Sequence, residues 1–105
     1  MPNIVAKIRF LSTAEGGRSQ ALPSDTFGCP VFFEGIPELS SHGYDCRILI
    51  SEVPEPVQPG DEVEKVRMLF LSPDEVLTQV RLGARFTLWE GKTIAYGEVI
   101  GIDME

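Results

Sequence analysis

Histidine and tryptophan occur once each in this sequence of 105 residues, and cysteine only twice. Small secreted scaffolds usually carry several bridges, so one possible pair, Cys29 and Cys46, does not point to a disulfide framework. A zinc site would need His42 together with both cysteines. The His-x-x-x-Cys spacing from His42 to Cys46 is loose, and no fourth ligand stands out. The same three residues make a poor nucleophilic centre. Asp45 would have to orient the base, yet on a strand it faces away from Cys46. The phosphate-wrapping pattern Gly-x-x-x-x-Gly-Lys-[Ser/Thr] is missing, which excludes P-loop chemistry. Gly16-Gly17-Arg18 has neither the lysine nor the strand–loop–helix setting and reads as a strand connection.

Long apolar runs are missing too. None approaches the ~20 residues of a membrane-spanning helix. The opening stretch Met1 to Arg9 carries Lys7 and Arg9 among its apolar residues, unlike the core of a signal peptide. The expected setting is cytoplasmic, with both thiols reduced and no membrane attachment. Basic residues are also scarce: nine Lys and Arg stand against sixteen Asp and Glu, a net charge of −7. Nucleic-acid affinity comes largely from neutralised phosphates, so this balance argues against that partner. Acidic pairs such as Asp74-Glu75 and Glu62/Glu64 read as solvated charges.

What is present is a β pattern. Hydrophobic residues make up 43%, enough for one core in a chain of single-domain length, spanning residues 1–105. Residues 4–11 alternate, with Ile4, Ala6, Ile8 and Phe10 on one face and Lys7 and Arg9 on the other. Ser12 to Ser19 is a polar turn. Pro30 to Phe33 forms a short second strand, and residues 34–43 a loop. Tyr44 to Val53 is a third strand with Tyr44, Cys46, Ile48 and Ile50 inward; Cys29 falls at a strand edge. Pro54, Pro56 and Pro59 make a stiff connector. Glu62 to Leu71 is the fourth strand, with Val66, Met68 and Phe70 aligned. Residues 73–83 read as a connection in which Pro73-Asp74-Glu75 could open one helical turn. Arg85 to Glu90 is the fifth strand and Glu90-Gly91-Lys92 a hairpin turn. Thr93 to Ile102 is the sixth, with Ile94, Tyr96, Ile100 and Ile102 on one face. Six strands joined by Gly- and Pro-rich connections predict an all-β closed barrel or sandwich.

Several stretches resemble one known family. Phe10-Leu11-Ser12 with Glu15-Gly16-Gly17-Arg18 is similar to the first strand and loop of domain III, the C-terminal barrel of translation elongation factor Tu. The run from Gly83 to Ile100 resembles the closing hairpin of that domain, which reads Gly-x-Arg-Phe-x-[apolar]-x-Glu-Gly and then Thr-[apolar]-x-x-Gly-x-Val. Pro59-Gly60-Asp61-x-Val63 and Pro30-Val31-Phe32-Phe33 are similar to its Pro-Gly-Asp-x-Val turn and Pro-Gln-Phe-Tyr strand. The likeness runs along nearly the whole chain, with a reshaped loop at 34–43 and a few extra residues in 74–82. It implies a six-stranded antiparallel Greek-key barrel.

In that family the domain packs on a GTPase domain, touches the T stem of aminoacyl-tRNA and helps bind the nucleotide-exchange factor. Of the tRNA-contacting positions, the loop arginine corresponds to Arg18 and the turn glycine to Gly91. The glutamine has become Val31 and the lysine Ser72, while the threonine falls in the reshaped loop. These departures, with the acidic balance, weaken the tRNA role. The expectation is a non-enzymatic protein-binding module without a cofactor, with Arg18, Trp89, Glu90, Gly91 and Lys92 as candidate contacts. Its partner could be a GTPase, a translation component or a toxin. RNA binding, and a small-ligand or metal-binding barrel, stand as alternatives. Trp89, out of phase with Phe86 and Leu88, faces outward either as an interface anchor or as cover for a neighbour such as Tyr96.

Overall fold

The computed structural model describes residues 1–104. The strands are β1 (Asn3–Phe10), β2 (Phe27–Glu34), β3 (Tyr44–Ile48), β4 (Glu62–Phe70), β5 (Arg85–Trp89) and β6 (Thr93–Asp103). Every pairing is antiparallel, and the order β1-β4-β3-β2-β5-β6 closes on itself. A long connection from β1 to β2, then the run β2-β3-β4 that lays β4 beside β1, makes the Greek key. Closure leaves no sheet edge open to edge-on aggregation. Among the described residues no helix is long and apolar enough to cross a membrane.

Period-two patterning builds the interior. Ile4, Ala6, Ile8 and Phe10 of β1 are buried, as are Val66, Met68 and Phe70 of β4 and Phe86 and Leu88 of β5. Three of the phenylalanines meet there. Phe33 lies 5.8 Å from Phe70 and 5.9 Å from Phe86, centroid to centroid, the latter pair edge-on at 64°. Such pairs add to the area term of each ring.

Three expectations about strand bounds and faces need correction. The second strand is longer than Pro30 to Phe33 and starts at Phe27. Proline is tolerated within it because β5 pairs with β2 only over Val31–Glu34, so the missing N–H costs no bond to β5. The third strand stops at Ile48. Its expected tail is a single 3₁₀ turn, Ile50–Glu52, closed by the Glu52 N–H to Leu49 and the Val53 N–H to Ile50. The curl keeps Ile50 buried at the rim of the barrel before the prolines. A five-residue helix, α1 (Pro73–Leu77), fills the connection at 73–83 and buries Val76 and Leu77.

The face assigned to β6 is wrong for two residues. Tyr96 and Ile100 are exposed, at 50% and 45%, whereas Ala95 and Val99 are buried. Two bulges shift the phase. Leu88 pairs with Ala95 but Trp89 with Thr93, and Val5 pairs with Gly101 but Ala6 with Val99. Each leaves β6 one residue longer than its partner, which reverses the alternation beyond it.

On the outer wall, Arg67 forks onto Glu52, with Nε 2.8 Å from one carboxylate oxygen and Nη2 bonding the other. The Arg67 hydrogen bond, aided by its charge, holds the Glu52 carboxyl below its ordinary 4.5. A lowered folded pKa contributes stability above the unfolded value, and that contribution fades as pH falls through the folded one. Glu52→Gln should therefore lower the thermal midpoint slightly at neutral pH. The gap to the unmutated protein should narrow as the pH drops below 4.5 in a series of melts. A gap that stayed constant down to acid pH would disprove the linkage.

Candidate functional site

The site starts with the loop between β1 and β2. Glu15 and Ser12 hold each other reciprocally: the Ser12 N–H donates to Glu15 Oε1 at 2.9 Å, and the Glu15 N–H to Ser12 Oγ at 3.1 Å. Bonding from the Ser12 N–H, more than the charge of Arg9, keeps the Glu15 carboxyl below its ordinary value. Gly17 makes the tight return possible. A Cβ there would lie 2.2 Å from the Leu11 carbonyl oxygen, a backbone atom that cannot step aside. The loop therefore delivers Arg18 to a fixed place.

Arg18 does not pair with Glu15, which pairs with Arg9 at 3.3 Å. Instead it crosses to the hairpin joining β5 and β6. Its Nη1 sits 2.7 and 2.6 Å from the two carboxylate oxygens of Glu90. Its guanidinium stands 4.9 Å from the centre of the Phe27 ring, a cation–π contact. Longer bonds of 3.4 Å reach the carbonyls of Gln20 and Ala21. The side chain is only 17% exposed, so this clamp is better shielded than an ordinary surface pair. At the turn itself, Gly91 has φ 71° and the Glu90 N–H donates to the Lys92 carbonyl at 2.8 Å. Arg18, Ser19, Gln20, Glu90 and Lys92 line one shallow depression.

The expected residues Arg18, Glu90, Gly91 and Lys92 thus converge, and Trp89 adjoins them. Trp89 is 43% exposed and faces outward. It has company there: Tyr96, expected as a neighbour, and Phe32, which sequence reasoning missed. Phe32 on β2 pairs with Thr87 on β5, and Thr87 with Tyr96 on β6. Phe32 and Tyr96 are 38% and 50% exposed. Trp89 lies two residues beyond Thr87, so the three aromatic rings share one outer face of three adjacent strands. The signal for Phe32 was legible, because it alternates with buried Val31 and Phe33. Tyr96 was placed on the wrong face of β6 because of the bulge at Leu88/Trp89.

His42, Cys29 and Cys46 do not converge. His42 is on the exposed 34–43 loop, 4.4 Å from the Tyr44 ring, with Nδ1 3.1 Å from Ser41 Oγ. Both cysteines are inside the barrel. Cys29 is not at a strand edge: it lies in β2 directly opposite Cys46 in β3. No protein-family model and no curated protein matches this chain, so the clamp and its aromatic neighbours stand on their own geometry.

Proposed function

We propose that this chain is a non-enzymatic docking module of the elongation factor Tu domain III type, which binds a protein partner across the β2–β5–β6 face. The observation that carries this is the grouping of Phe32, Trp89 and Tyr96, each partly exposed, on one outer face. Exposed apolar residues scattered singly need no explanation, but three aromatic residues gathered on one face beside polar ones have the composition of an interface core. The Arg18–Glu90 clamp fixes the turn next to Trp89, so the ring is presented from a rigid support. A rigid anchor loses less freedom on binding than a mobile one. The partner is a protein, with a GTPase, a translation component or a toxin as the candidates, in keeping with the resemblance of the hairpin and loop.

The test is affinity capture from cytoplasmic extract with unmutated protein and with Trp89→Ser/Tyr96→Ser, each with and without nuclease. The captured protein is then purified and titrated against both forms. The expected result is one protein that survives nuclease, is lost with the double variant and binds directly when purified. Retention of RNA that nuclease removes would favour the nucleic-acid alternative, and equal capture by both forms would remove this face from consideration.

A further inference from the structure

Cys29 and Cys46 face each other across two hydrogen-bonded strands. They are paired in register on β2 and β3 and both point to the barrel interior, 3% and 0% exposed. Residues directly opposite on antiparallel strands have Cα atoms about 4.5 or 5.5 Å apart. Both spacings fall within the roughly 4.4–6.8 Å that a disulfide spans. The proximity of Cys29, followed by burial, pushes the Cys46 thiol well above its ordinary value. Two inward thiols on facing strands need only a small closing movement to bond, and no other chain is required.

We infer that Cys29 and Cys46 form an oxidisable dithiol site that takes hydrogen peroxide and closes to an intramolecular disulfide between β2 and β3. Cys29, the less completely buried thiol, reacts first: its sulfur attacks the peroxide, the O–O bond breaks, and a sulfenic acid and one water form. The Cys46 sulfur then attacks the Cys29 sulfur. The S–S bond forms, the S–O bond breaks, and the hydroxyl leaves as water with the Cys46 proton. Two thiols are oxidised and one peroxide is reduced to two waters. Burial slows the first step, because reaction follows local opening of the β2–β3 pair. The product ties these two strands together and is reversed by dithiol reductants. This site is independent of the docking face.

The test uses the unmutated protein, reduced and freed of reductant, then treated with hydrogen peroxide. Thiols are counted after denaturation, and peptides are mapped without reduction. The expected result is joint loss of both thiols, a peptide pair joined through Cys29 and Cys46 and lighter by two hydrogens, and recovery with dithiothreitol. The thermal midpoint of the oxidised form should rise by several degrees, since the cross-link restricts the unfolded chain. Cys46→Ala should instead stop at a dimedone-reactive sulfenic acid on Cys29. Exposed Met104 gauges the peroxide dose. If Met104 becomes sulfoxide while both thiols persist, or if the thiols gain oxygen or link two chains without joining each other, the inference is overturned.

Discussion

Gly97→Ala should destabilise the barrel by about 1–3 kcal/mol, and Phe86→Ala by about 3–5 kcal/mol, yet the two together should cost less than their sum. The reason is a single close approach. Phe86 of β5 and Gly97 of β6 are directly paired, and the phenyl ring lies across the glycine. A Cβ built on Gly97 would sit 2.2 Å from Phe86 Cζ and 2.4 Å from Cε1. The ring cannot yield easily. It is 1% exposed and packs edge-on against Phe33, which in turn meets Phe70. The methyl added by Gly97→Ala therefore pushes on a chain of three rings.

Removing the Phe86 ring leaves a cavity whose lining loses its dispersion partners. In that background the methyl added by Gly97→Ala enters empty space and its penalty vanishes. The coupling should lie within the range of about 0.5–3 kcal/mol found for contacting residues. Urea unfolding of the unmutated protein, both single variants and the double variant would measure it. Additivity within about 0.5 kcal/mol would show that the β6 backbone, not the ring, absorbs the added methyl. Against a typical stability of about 5–15 kcal/mol, Phe86→Ala alone removes a large part of the reserve.

The same pair shows how much of the barrel could be read in advance. Alternation along β1, β4 and β5 places Ile4, Ile8, Met68, Phe70, Phe86 and Leu88 inside, and the structure agrees. That pattern is local, since each residue is judged by its neighbours two positions away. A bulge is not local. It arises from a mismatch of two paired strands, so nothing in the run Thr93 to Ile102 announces that β6 gains residues against both neighbours. Simple alternation turns Tyr96 inward for this reason, although it stands outward on the aromatic face. The end of β3 fails for a related cause: the chain bends after Ile48 through backbone bonds to Arg67 and Asp25, which are remote in sequence. Arg18 and Glu90 were each legible as loop and turn residues. Their union, 72 positions apart, was not.

Trp89→Ala should weaken the complex with the captured protein at least about 30-fold, equivalent to the roughly 2 kcal/mol that marks a hot spot. Tryptophan in a desolvated patch is the residue type with the greatest such effects, and Trp89 shares its outer face with Phe32 and Tyr96 and adjoins Glu90 of the clamp. Phe32→Ala and Tyr96→Ala should each do less, near the ~1 kcal/mol of peripheral contacts. The thermal midpoint should move little with Trp89→Ala, because the residue is already 43% exposed. Arg18→Ala should behave differently and lower both affinity and stability. It removes the forked bonds to Glu90 and the contact with Phe27, and frees the turn that carries Trp89. Arg18→Lys should restore them only in part, since an ammonium can reach both Glu90 oxygens, as Nη1 does, but cannot also lie over Phe27 and reach the Gln20 and Ala21 carbonyls. Calorimetric titration beside thermal melts separates these outcomes. An unchanged affinity with Trp89→Ala would sink the docking face, while a loss matched by an equal fall in stability for every variant would reduce the effect to folding.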